Sequence, residues 1–306
     1  MQHQSLSSEN KRNLLVGSSY VLIAAIGFSA KAVIIKLAYG YGAQVDAITL
    51  MALRMLMALP VFLWVGFWQG KKKGQIFTLK DLLRVFILGG LGYYLASFLD
   101  FTGLQFISAG LERVILFLYP TFVVLLSAVI FRRPITLREV MALLLSYAGM
   151  IWVFQENMQQ GSSDVLKGSV LVLLSAISFA LFLMGSGMMV KRIGSGRFTA
   201  YSMTVACIAT LVHFASVHDF TLLKLPRQVY YLAALMALFS TVIPAFLMNA
   251  GIQRIGSGTA SMISSVGPIG TLILAYIFLG EELSSAQIIG TFLVLTGVFI
   301  ASRAKS

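Results

Sequence analysis

FTGLQFISAGLERVILFLYP, residues 101–120, lies without a gap over NAGIQRIGSGTASMISSVGP, residues 249–268, at a shift of 148 positions. Gly103/Gly251, Gln105/Gln253, Ile107/Ile255, Gly110/Gly258, Ile115/Ile263 and Pro120/Pro268 coincide, and the register continues through Leu126/Leu274 and Gly149/Gly297. The chain is read as an internal duplication. Ten apolar runs approach or exceed the roughly 20 residues that a helix needs to cross a bilayer: 14–37, 47–68, 82–101, 108–130, 138–154, 168–190, 198–217, 229–250, 258–279 and 285–301. Five spans per copy is an odd number. The second copy therefore enters from the opposite side, and the expected fold is an all-α membrane protein of ten transmembrane helices in two five-helix inverted repeats. The expected units are a cytoplasmic tail (1–13), a first repeat (14–154), an external linker (155–167) and a second repeat (168–306).

Composition agrees with lipid as the solvent. Hydrophobic residues make up 58% of the 306, charged residues 11%, and the mean hydropathy is +0.88. No segment alternates polar and apolar over about ten residues, as barrel strands do. The N-terminal residues MQHQSLSSENKRN are polar, and the span after them is longer than a signal-peptide core. The formal net charge of +12 would suit nucleic acid, but its distribution does not. With the N-terminus inside, sixteen Lys and Arg fall in inner loops and termini, against four outside (Lys36, Lys167, Lys224, Arg227). That is the positive-inside pattern of ten spans with both termini cytoplasmic in a bacterial inner (plasma) membrane. The sister turns obey it too: FRRPIT (131–136) falls inside and LGEELS (279–284) outside.

The paired pattern of a Gly-rich turn, a span with a central proline, a short turn such as LGEEL and a last span ending LTGVF resembles the EamA-type permeases of the drug/metabolite transporter superfamily. The resemblance covers the whole chain, most specifically 101–154 and 249–302. It implies ten helices around a central cavity for a small metabolite, commonly with export as the direction, and names no substrate. Where such proteins often carry a Gly-Glu turn, the first copy has FRRPI, so any role of that glutamate carries over to Glu281 alone.

Five charges fall within the first four spans: Lys31, Arg54, Asp100, Glu112 and Arg113. Arg54 is seven residues into its span, about 10 Å deep at 1.5 Å per residue, and the others share that level. One reading is interfacial, with long side chains snorkelling to the headgroups. The other is a polar outer vestibule whose charges pair until substrate arrives, with Glu112 facing it, paired to Lys31 or Arg54, and Arg113 serving as an anchor near the headgroups. Pro120 and Pro268, mid-span in sister helices, leave the carbonyls of Leu116 and Ser264 without helical partners, either as static kinks or as gates. Ser257, Ser261, Ser264 and Pro268 share one helical face, which suits a pathway or tight packing. Tyr119 with Glu112 gives the matching face of the fourth span, and Tyr93, Tyr94 and Asn249 are further candidates for cavity contacts.

These residues suggest a secondary transporter working by alternating access, exporting a small polar metabolite. A mixed set of acids and cations favours an amino acid or similar zwitterion. Proton coupling through Glu112 or Asp100 and uncoupled downhill export are equally consistent. No cofactor is implied: one cysteine, Cys207, gives neither disulfide nor metal site, and GxSxG, HExxH and Walker motifs are missing, against an enzyme or an ATP-driven pump. A passive channel or a structural membrane protein is the alternative. Oligomeric state is not legible.

Overall fold

The computed structural model describes residues 2–71, 77–130, 132, 134–159, 164–219, 224–264 and 266–303, the side chains of 2–11, 159, 257, 258, 261, 262 and 301–303 excepted. Among the described residues the chain is helical, with no strand. Eight segments are long and apolar enough to cross a membrane: α1 (Gln2–Tyr39), α2 (Ala47–Gly70), α3 (Leu79–Gly103), α4 (Ala109–Ile130), α5 (Leu137–Gln159), α6 (Val165–Ile193), α7 (Ser195–Val217) and α8 (Arg227–Gly256). Two shorter apolar helices follow, α9 (Gly267–Leu279) and α10 (Ser285–Arg303). The polar residues before the first span are helical and continuous with α1, since SLSSENKRN holds no Gly or Pro to stop a helix.

Local chemistry sets the helix starts. TLKD and TLRE each form a reciprocal cap: Thr78 N donates to Asp81 Oδ2 at 3.0 Å, and Thr136 N to Glu139 Oε2 at 2.9 Å. Asp46 and Ser108 cap α2 and α4 through Thr49 N (2.8 Å) and Leu111 N (3.1 Å). Polarity is inverted relative to a water-soluble protein. Trp64, Phe67, Phe86 and Phe292 are exposed, whereas Thr49, Ser175, Thr210 and Thr271 are buried. The hydroxyls of Ser175, Thr210 and Thr271 donate to carbonyls inside the bundle, and lipid is left to cover the apolar rim.

Helices pair in a pattern that exchanges the two copies: α1 packs on α8 as α6 packs on α3, while α2 meets its own sister α7 and α5 its own sister α10. The contacts repeat in detail. A Cβ at Gly103 would lie 2.6 Å from Val172 Cγ2 and 3.0 Å from the Gly168 carbonyl; at the sister Gly251 it would press on Val21 Cγ2 and lie 3.1 Å from the Gly17 carbonyl. Even the irregularities are doubled. One π-helical turn, Gly90–Leu95, interrupts α3, and another, Leu238–Val242, begins 148 residues later in α8. On α6, Ser178 Oγ donates to the Leu91 carbonyl at 2.8 Å and Ser175 Oγ to that of Ala96 at 2.7 Å, so widened backbone finds donors inside the protein.

The prolines correct the expectation of kinked continuous helices. The first part of α4 ends at Leu116 and a new helix begins at Tyr119; in the second copy the helix ends at Ser264 and α9 begins at Gly267. Each proline thus sits in a first turn, where a missing N–H breaks no helical bond. Gly256, φ 78° and ψ 160°, turns the chain out of α8 at the position sister to Ser108, a left-handed conformation suited to glycine.

Candidate functional site

A cavity of about 620 Å³ occupies the middle of the bundle. It runs from Lys31, Arg54 and Arg113 on α1, α2 and α4 to Lys191 and Gln253 near the ends of α6 and α8. Its wall is largely apolar, with an arc of aromatic rings along one side. Phe117 and Tyr119 lie 5.4 Å apart between centroids, Tyr119 and Phe179 5.2 Å, Phe179 and Phe182 5.6 Å, and Phe182 and Tyr93 4.7 Å. Gly92 makes room for Phe182, which would overlap any Cβ there. Asn249 adds an amide whose Nδ2 lies 2.8 Å from Thr199 Oγ1 and 3.2 Å from Tyr93 Oη.

The in-span charges do come together, but not in the expected pairs. Lys31 Nζ meets Asp100 Oδ2 at 2.6 Å. Asp100 lies beside Glu112, and Glu112 Oε2 is 3.8 Å from Arg113 Nε. Both carboxylates are buried and neither reaches the cavity wall, so the expectation that Glu112 faces a vestibule and pairs with Lys31 or Arg54 is corrected. Arg113, expected near the headgroups, is buried in the wall and donates from Nη2 to the Phe28 carbonyl at 2.6 Å. Arg54 stacks over Phe101, 4.6 Å from the ring centroid, with Nε and Nη2 unbonded.

Of the other candidates, Tyr119, Asn249, Ser264 and Pro120 line the cavity. Ser264 Oγ returns to the Ala260 carbonyl at 2.8 Å. Tyr94 does not line it; its hydroxyl meets His213 Nδ1 at 2.9 Å. Pro268 is buried outside the lining, beside Gly267, whose carbonyl accepts from Ser29 Oγ at 2.9 Å. The Ser261 side chain lies outside the described residues, as does that of Ser257. Sequence reading missed Phe117, Phe179 and Phe182, because apolar aromatic residues in an apolar span carry no signal of which way they face.

Beyond the ion network, the end formed by the α3–α4 turn is plugged. Lys36 Nζ donates to the carbonyls of Ile107 (3.1 Å) and Leu104 (3.3 Å), and Tyr39 Oη to that of Phe101 (2.7 Å). Glu281 Oε1 accepts from Ala109 N at 2.8 Å and Oε2 from Gly110 N at 3.1 Å. A carboxylate on the first turn of α4 takes up otherwise unpaired N–H groups and complements the helix dipole. It also ties the α9–α10 loop to α4.

Comparison with known proteins agrees with this architecture. The profile of the EamA-like transporter family matches residues 15–155 and 166–303, once per copy. The uncharacterized transporter YcbK of Bacillus subtilis (strain 168) is 36% identical over 309 residues, covering 94% of each chain. YyaM of the same organism, also an uncharacterized transporter, is 26% identical over 254 residues, covering 81% of each. An uncharacterized transporter of Archaeoglobus fulgidus is 23% identical over 234 residues, covering 76% of this chain and 82% of that one. One solved crystal structure superposes with a TM-score of 0.65 over 97% of this chain and 99% of the other; at 15% identity the likeness is of fold.

Proposed function

This chain belongs to the EamA-like transporter family, and from that premise we propose that it is a secondary transporter that exports a small organic metabolite by alternating access. The observation that carries the reading is the central cavity, bounded at one end by the ion network and the Glu281 plug, and reaching the ends of α6 and α8 at the other. In this reading, with ten crossings in two inverted repeats and the positive-inside orientation in the inner membrane, the plugged end is external and the state is inward-open. Copy-exchanging helix pairs, doubled π turns and doubled helix breaks support two halves that rock about the cavity. Pro120 and Pro268, at the breaks, are the proposed hinge positions. Proton coupling belongs to the same reading: the adjacent carboxyls of Asp100 and Glu112 are the groups that would carry a proton through the cycle. The zwitterion expectation rested on acids facing the cavity, and Asp100 and Glu112 are not part of its lining.

Liposomes holding the purified protein and a mixed pool of labelled small metabolites test the carrier reading. A carrier releases a subset saturably, and faster when the same unlabelled compound is outside. Release that rises linearly with concentration, without exchange, would make the protein a channel.

A further inference from the structure

We infer that the ligand of the cavity is a monoanionic carboxylate with a flat apolar or aromatic body. The inference deepens the transport reading and rests on it for the cavity being the substrate path. Among the described residues the wall carries Lys31, Arg54, Arg113 and Lys191 and no Asp or Glu. Lys31 is held by Asp100, and Arg113 stands beside Glu112. Arg54 has no carboxylate partner among the described residues, and it is 3% exposed with Nε and Nη2 unbonded. Three cations against two carboxylates leave this buried cluster one formal positive charge in excess, and a single negative charge would balance it.

Chemistry narrows the class. The Phe101 face attracts the Arg54 guanidinium but offers no lone pair for its N–H groups. A buried charged donor left unbonded is costly, and a planar carboxylate matches the guanidinium fork. An ammonium group would meet cations at that end, with Asp100 and Glu112 behind the lining and turned to Lys31 and Arg113. The arc from Phe117 through Tyr119, Phe179 and Phe182 to Tyr93 gives the opposite part of a ligand rings to stack on.

The test uses four compounds of one shape: phenylacetate, phenylacetamide, phenethylamine and phenylalanine, each titrated against the unfolding midpoint of the purified protein. Phenylacetate is expected to bind at least tenfold more tightly than the amide, with the amine and the zwitterion no tighter than the amide. Arg54→Gln should erase the acid's advantage. Arg54→Met, without ligand, should unfold no earlier than wild type, because it removes an unbalanced buried charge. Preference for the amine or zwitterion, no shift with phenylacetate, or a tenfold acid preference kept by folded Arg54→Gln would each overturn the inference, as would early unfolding of Arg54→Met. Should Arg54→Gln fail to fold, Arg54→Lys decides: weaker acid binding that still exceeds the amide supports the fork, and undiminished binding overturns it. Liposome exchange separates the two levels. Saturable exchange of phenethylamine but not phenylacetate leaves a carrier with another substrate class; tight phenylacetate binding without exchange of any compound removes the carrier and keeps the anion site.

Discussion

Lys31 and Asp100 meet at 2.6 Å with Asp100 almost fully buried, and such a pair reveals itself when one side is removed. Asp100→Asn keeps the shape but leaves a cation without its counter-charge. By the behaviour of broken buried pairs it should cost about 3–5 kcal/mol, read from denaturant unfolding in detergent. Lys31→Met combined with Asp100→Leu removes both charges and should recover most of that loss. If Asp100→Asn changes stability by less than about 1 kcal/mol, as exposed pairs do, the pair is not the buried clasp described here. The residue scale also corrects a simple rule of neighbours. Glu112 and Arg113 are adjacent in sequence, yet helical geometry sends them about 100° apart, so Arg113 reaches the cavity wall and Glu112 stays behind it.

At the scale of elements, α4 is two helices end to end, and its first turn is held by the loop between α9 and α10 through Glu281. The sister position in the first copy is Arg133, whose side chain accepts no hydrogen bond, so no equivalent carboxylate is available to clasp the second copy's helix start. A carboxylate clasp of the Glu281 kind is therefore not encoded at the sister position. Glu281→Gln keeps the side-chain volume and weakens the clasp. Charge-assisted bonds of this kind are worth about 1.5–3 kcal/mol, so a shift of about 1.4 kcal/mol towards the outward-open state would raise its population tenfold while it remains minor. Ser97→Cys, in the cavity wall inside the plug, is the reporter: with Glu281→Gln it should label from outside with an impermeant maleimide roughly tenfold faster. Equal rates would mean that Glu281 does not hold the outer closure.

For the whole molecule the decisive quantity is orientation. Single cysteines at Lys72 and Ser163, both outside the described residues, should label from opposite sides, Ser163→Cys from outside and Lys72→Cys only after permeabilisation. Labelling of Lys72→Cys in intact cells would reverse the topology and place the Glu281 plug inside. The duplication, the apolar spans and the loop charges were legible in the sequence because each is a property of chain order: lipid needs a continuous apolar run, insertion reads local charge, and a repeat is a register. The residues 101–120 and 249–268 carried enough of that order to place sister irregularities at Pro120 and Pro268, expected as kinks in continuous helices and found as breaks between helices. Which side chains share the cavity is a property of rotation about ten axes and of contacts between segments far apart in sequence, such as Lys31 with Asp100 or Glu281 with Ala109. The same physics hid the aromatic arc: in a lipid-soluble helix Phe179 and Phe182 would be as well accommodated facing the bilayer as facing a substrate, and only the packing of α6 against α3 and α4 turns them inward.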